Sequence, residues 1–313
     1  MGFEFKKAQR EKVKLRIAFG GVAGSGKTVS SLKLAYGITG DWGKIAVIDS
    51  EQGRALYYAN RSDLGIGEFL HCELSAPFSV DRYIEAMETA SEIVGSDGVV
   101  IIDSISPAWS SEGGVLAYKE QVAQQRGKND FSSWQDASKL QNRLIRSMME
   151  LPCHAICTLR SKANYVTEVN EETGRTSIKK LGSKMEQREG FDYEMAIVFN
   201  LDKDSHVCQI EKDNTILDAE GFYGVITPEV GRRLKAWASE GVEAKVYTCE
   251  CCGKKIKTYA FDDGTVMSPQ EIVEKSKESY GKAMCMDCVF EQNNVETESE
   301  EESVVEKEEN TEE

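Results

Sequence analysis

The eight residues "GVAGSGKT" at 21–28 restrict the fold of this chain more than any other stretch of it. They follow an alternating run, "KLRIAFG", and lead into "TVSSLKLAYGI", where Leu32, Ala35 and Tyr36 recur at helical spacing. Strand, glycine loop and helix in that order form an anion cradle. The glycines let backbone amides turn inward, and the helix N-terminus adds a partial positive charge. Gly21, Val22, Ala23, Gly24, Ser25, Gly26, Lys27, Thr28 and Val29 are therefore the candidate phosphate-binding residues. Lys27 has the reach for β and γ phosphates, and the Thr28 hydroxyl suits Mg2+, so ATP and Mg2+ are the expected ligands.

The rest of the pattern extends this unit into an α/β domain. Apolar strands are predicted at 44–49, 68–74 and up to Asp103, then at "CHAICTLR", "MAIVFNLD" and "HVCQIEKD". Helices alternate with them. Ser79 is placed to cap one that buries Ile84, Met87 and Val94, and Ser133 with Asp136 forms a predicted capping box for another. That second helix has an inward stripe of Trp134, Ala137, Leu140, Leu144 and Met148, and Pro152 closes it. "TPEVGRRLKAWASEG" is the last helix. The alternation implies a mostly parallel sheet with helices on both faces.

Two strands end on the same cue, "IDSE" at 48–51 and "IIDSI" at 101–105, so both Asp49 and Asp103 qualify by position as the carboxylate of the magnesium shell. By residue type alone Glu51 is equally a water-orienting group or a loop carboxylate. With the "GVAGSGKT" loop, these segments resemble the RecA family. The resemblance is closest to phage RecA-like single-strand annealing ATPases, which "IDSEQGRA", "IIDSISPAW", "TLRSKANY", "GFDYEMAIVFNLD" and "ITPEVGRRLKAW" match in order over about residues 14–240. It implies a RecA-like P-loop core in which Glu51 polarises the attacking water, Asp103 holds magnesium and Asp49 is structural. Just past a buried strand at the phosphate-loop edge of the sheet, Arg160 and Lys162 are candidates to sense the nucleotide or to approach a neighbour's site, with a solvated loop pair as the alternative. By the resemblance Lys212 becomes a residue that enters a neighbouring subunit's site, and hence implies a homo-oligomer. The family's second basic position is Asn214 here.

Two long polar segments follow Asp103 and Arg160. Between 160 and 188 there are seven Lys or Arg against four Glu, inside a chain of net charge −15. "YVTEVNEETGRTSIKK" reads as a hairpin turning at Gly174, with Arg175, Lys179, Lys180 and Lys184 able to meet phosphates. In the resembled family these are the places that grip single-stranded DNA, which makes Tyr165 a candidate for base stacking; for Trp109 packing is the stronger reading. The implied function is ATP-dependent single-strand annealing or exchange in recombination. A helicase or helicase loader on the same fold, or an ATP-regulated assembly protein, remains open, as does a single-strand-binding or replication protein as partner.

Cys249, Cys252, Cys285 and Cys288 form two CxxC pairs separated by 32 residues. Four thiolates suit a closed tetrahedral Zn2+ site, with "SPQEIVEKSKES" as a helix in the spacer and a structural role for the metal. The last stretch, 291–313, carries eleven Glu and one Lys, so the remaining residues are only five charges negative. Such a composition is expected to be disordered. The expected division is a RecA-like domain over 1–243, a zinc module over 244–290 and an acidic tail over 291–313. No apolar run approaches the roughly 20 residues of a membrane span, and a cytoplasmic protein is expected.

Overall fold

The computed structural model describes residues 7–125, 129–169, 176–243, 245–261 and 265–292. The chain divides into two compact units, Met1–Val242 and Glu243–Glu313. In the first, the elements run β1 (Arg16–Gly21), α1 (Lys27–Thr39), β2 (Ile45–Asp49), β3 (Leu70–Glu73), α2 (Val80–Val94), β4 (Val99–Asp103), α3 (Ser106–Ser110), α4 (Val115–Ala123) and α5 (Asp130–Met149). They continue with β5 (His154–Val169), β6 (Thr176–Met185), α6 (Phe191–Glu194), β7 (Ile197–Leu201), β8 (Cys208–Asp213) and α7 (Pro228–Ala238).

Seven of these strands form a sheet in the order β3-β2-β4-β5-β1-β7-β8, and β6 pairs only with β5. Every neighbouring pair is parallel except β7 with β8 and β5 with β6. Side chains alternate across the sheet as strand geometry requires. Ile48, Val100, Ile102, Ala155 and Cys157 pack on one face with Met87 of α2 and Leu144 of α5. Ile17, Phe19, Val47, Ile101 and Phe199 pack on the other with Leu34 of α1 and Leu234 of α7. α1 and α7 meet so closely that a Cβ at Gly37 would lie 2.1 Å from the Pro228 carbonyl oxygen. Both faces are covered at the centre of the sheet, so β1, β2 and β4 are buried along their whole length, whereas the edge strands β3 and β8 carry exposed polar positions.

Three expectations are corrected. The helix that begins with "WQDASK" starts four residues earlier, at Asp130. Its capping box is Asn129 with Ser132, because the Asn129 side chain accepts from the Ser132 amide at 2.8 Å and the Ser132 hydroxyl accepts from the Asn129 amide. Ser133 is then a helical residue whose hydroxyl bonds back to the Asn129 carbonyl, and Trp134 stays 40% exposed. Ser79 precedes α2 without a side-chain capping bond. The segment after Asp103 is not an open loop: it folds into α3 and α4, where Ala108, Val115 and Val122 are buried.

The second unit contains a two-stranded hairpin, β9 (Tyr259–Ala260) with β10 (Val266–Met267), and α8 (Pro269–Tyr280), capped by Ser268 with Glu271. Ile256, Met267, Ile272 and Met284 make its small core. Among the described residues no helix is long and apolar enough to cross a membrane. The expected acidic tail lies outside the described residues from 293 onward.

His154 opens β5 with Nδ1 accepting from the Leu15 amide at 3.0 Å. Burial, followed by the charges of Lys235, Lys14 and Arg16, lowers its pKa to about 3. An unfolded chain takes up this proton near pH 6.5, whereas the folded one does not, so the contribution is complete above about 6.5 and is lost as pH falls toward 3. We expect denaturant melts to show about 2 kcal/mol less stability from this group at pH 5 than at pH 7, and His154→Asn to flatten that slope.

Candidate nucleotide site and metal centre

The cleft forms where β1, β2 and β4 end and β5 passes beside them. It is lined by Gly24, Gly26, Lys27, Thr28, Glu51, Arg54, Tyr58, Asp103, Arg160 and Ser161, among others, and encloses about 710 Å3. Gly24 and Gly26 take φ of 81° and 92°, which side-chain-bearing residues rarely adopt, and this is how the loop turns back onto the start of α1. The Lys27 ammonium lies across the loop, donating to the Gly21 and Val22 carbonyls at 2.8 and 3.1 Å. Burial lowers its pKa, and the carboxylates of Asp103 and Glu51 act against that shift.

The two aspartates occupy matched positions, Asp49 opposite Asp103 in the β2–β4 register, yet their carboxylates face different partners. Asp49 is fully buried; it accepts from the amides of Glu51 and Ala55 at 2.7 and 2.8 Å, and His71 Nε2 lies 3.3 Å away. It fastens the turn that carries Glu51. Asp103 turns to the phosphate loop, where the Thr28 hydroxyl donates to Oδ2 at 2.6 Å and the Thr158 hydroxyl donates to Oδ1. Burial pushes the Asp103 pKa up, and the hydroxyls of Thr158 and Thr28 work against this. A hydroxyl and a carboxylate side by side form a hard oxygen donor set, so Thr28 and Asp103 fit Mg2+ next to a phosphate chain.

Glu51 sits across from Asp103 because β2 and β4 are hydrogen-bonded neighbours. The Ser50 amide donates to the Asp103 carbonyl at 2.8 Å, and the Ser104 hydroxyl donates to Glu51 Oε1 at 3.2 Å. Arg160 Nε donates to the same Oε1 at 2.7 Å, and this contact, ahead of the Glu51 charge, raises the arginine pKa. The pair spans strands β2 and β5, on either side of β4.

Other sequence-derived candidates distribute unevenly. Lys212 is outside this cleft: its ammonium donates to the carbonyls of Asp192 and Tyr193 in α6, at 3.0 and 2.6 Å. Asn214 bonds through its backbone amide to the Ala196 carbonyl. Lys162, Tyr165, Lys179 and Lys180 occupy hairpin positions whose side chains are not among those described, and Arg175 lies outside the described residues. Lys184 is exposed on β6. Trp109 packs its ring 6.4 Å from that of Trp134. Sequence reasoning missed Thr158, Ser104 and Ser161, whose hydroxyl accepts from the Gly21 amide at 2.9 Å. Small hydroxyl residues within or just after a strand carry no distinguishing pattern, and only the sheet order places these three at the cleft.

A family model described as an AAA domain (AAA_24) matches residues 13–246. The chain belongs to this AAA-domain family. A comparison with curated proteins finds no match. The match spans the first unit from residue 13 onward and accounts for a nucleotide-dependent P-loop core, with ATP and Mg2+ as its ligands.

In the second unit, the sulfurs of Cys249, Cys252, Cys285 and Cys288 all lie within 4.8 Å of one another, and those of Cys252 and Cys285 are 3.7 Å apart. Tetrahedral Zn–S bonds of about 2.3 Å require sulfurs about 3.8 Å apart, so the four thiols fit Zn2+. Burial opposes ionisation of Cys249, but the amides of Cys252, Cys285 and Cys251 bring its pKa down to about 6. A metal bound by all four would have no position left for a substrate, so its contribution would be structural. Cys251 remains exposed beside the cluster. We expect metal analysis of the purified protein to give about one zinc per chain, and Cys285→Ser to remove it and unfold the second unit while ATP binding by the first persists.

Proposed function

We propose that this chain hydrolyses ATP and binds single-stranded DNA, acting in strand annealing or exchange like the phage RecA-like annealing proteins it resembles. One observation carries the reading. Strand β5 starts in the central sheet, passes the cleft at Arg160 and Ser161, and continues without a break into the hairpin with β6, paired from Ser161–Met185 to Val169–Thr176. The residue bonded to Glu51 and the basic hairpin therefore share one strand. A change at the nucleotide end has a direct covalent path to the proposed DNA end.

In the hydrolysis step, the loop amides and Lys27 bind the phosphates, and Glu51 orients water for in-line attack on the γ-phosphorus. Mg2+ held by Thr28 and Asp103 would supply charge neutralisation on the β and γ oxygens. Arg160 holds Glu51 through Oε1, so a γ-phosphate competing for the guanidinium releases the carboxylate for water. Lys212 is half-buried against α6, and its reading as a residue donated to a neighbouring subunit's ATP makes the active form a homo-oligomer; the Asn214 position would leave that contact with one cation. Lys179, Lys180, Lys184 and Arg175 meet the DNA backbone.

Lys27→Ala should abolish ATP binding. Glu51→Gln should keep it while turnover drops about 10²- to 10⁴-fold, measured by phosphate release with and without single-stranded DNA. Normal hydrolysis by Glu51→Gln would remove the carboxylate from the mechanism. The Lys179→Ala/Lys180→Ala double variant should weaken binding to single strands of any sequence and reduce the log–log salt slope by about 1.4. An unchanged slope moves the DNA contact elsewhere, and directional unwinding of duplex would favour a helicase.

A further inference from the structure

The turn between β7 and β8 reaches the outer side of the phosphate loop, and nothing in the reading above uses it. The turn is built by Asp202, whose Oδ1 accepts from the Asp204 amide at 3.1 Å, the Ser205 amide at 2.9 Å and the Ser205 hydroxyl at 2.7 Å. Backbone bonds from the Asp202 amide to the Val207 carbonyl and from the His206 amide to the Asp202 carbonyl close it. His206 is held there at φ 56°, a left-handed conformation more common for His, Asn and Asp than for other side-chain-bearing residues.

From this position the His206 ring covers the last glycine of the loop. Its Nδ1 lies 3.1 Å from the Ser25 carbonyl oxygen, and a Cβ at Gly26 would approach the same nitrogen to 3.3 Å. A carbonyl only accepts, so Nδ1 carries the proton and donates. The Ser25 carbonyl and the Gly26 amide belong to one planar peptide unit, and in a trans peptide the two point in opposite directions. Fixing the oxygen outward on the imidazole therefore aims the Gly26 N–H inward, toward the concave side of the loop.

We propose that His206 is a positioning residue of the phosphate loop, which orients the Ser25–Gly26 peptide so that the Gly26 amide meets bound phosphate. The inference rests on the nucleotide reading of the cleft and adds to it a residue 180 positions downstream of Gly26. The turn leads directly into β8, the strand that carries Lys212. The phosphate loop and a candidate intersubunit cation are thus joined by one short strand.

The test is equilibrium binding of fluorescent mant-ATP with Mg2+ to the full chain, for wild type, Lys27→Ala, His206→Gly and His206→Asn, with melting temperatures alongside. Glycine removes the ring without straining the turn, and asparagine tolerates the same φ while placing an N–H donor near the position of Nδ1. One hydrogen bond to a preorganised loop predicts about a fivefold weaker affinity for His206→Gly, with asparagine restoring binding to within about twofold of wild type. Wild-type affinity in His206→Gly overturns the inference, as does an asparagine variant no better than glycine. If wild type itself fails to bind mant-ATP, the nucleotide reading falls, and the positioning role falls with it. Binding by wild type that survives in His206→Gly defeats only the positioning role.

Discussion

The nucleotide site depends on the parallel pairing of β2 with β4, which sets Asp49 opposite Asp103 and Ser50 against Ser104. The Ser50 hydroxyl accepts from the Ser104 amide and donates to the Ser104 carbonyl, and Tyr83 from α2 donates to that same carbonyl. These bonds are buried, where an unmade partner costs about 1–3 kcal/mol, so the two strand ends are locked together. The positions of Asp103 and Glu51 in the cleft follow from that lock. Asp103 faces Thr28 across one side, and Glu51 leaves the other on a turn fastened by Asp49.

Two chemically identical side chains at equivalent ends of adjacent strands therefore serve different ends. Asp49 spends its lone pairs on backbone amides in a fully buried site, whereas Asp103 meets only hydroxyls that a metal ion can share. Glu51 in turn accepts from Arg160, so one of its carboxylate oxygens is already engaged by a guanidinium across the cleft. The strand that supplies Arg160 also supplies the hairpin, so the electrostatics of the cleft and the geometry of the distant surface are parts of one element.

Much of the fold was legible because it rests on local rules. The loop glycines, the apolar strands and the helical periodicity of α1, α2 and α7 are each readable within a dozen residues. The capping box of α5 was not, because Ser133 and Asp136 satisfy the same pattern as the pair actually used. Asn129 prevails since its side chain reaches the Ser132 amide, which places Ser133 inside the helix. The helices after Asp103 were missed for a related reason: α3 is five residues and α4 nine, too short for a polar segment to show periodicity.

By itself the amino-acid sequence determined the phosphate loop, the alternation of the sheet strands with α1, α2, α5 and α7, and the four thiols with zinc-ligand spacing, because each depends on residues close in the chain. Only the tertiary structure decided which aspartate faces Thr28 of the phosphate loop. It alone brought Thr158, Ser104 and Ser161 into the cleft, paired Glu51 with Arg160, and set His206 against Ser25. The physical reason is sheet order: with β4 between β2 and β5, and β5 beside β1, residues separated by 50 to 180 positions end at one edge of the sheet. Hydrogen bonds across that edge have no counterpart in local sequence pattern.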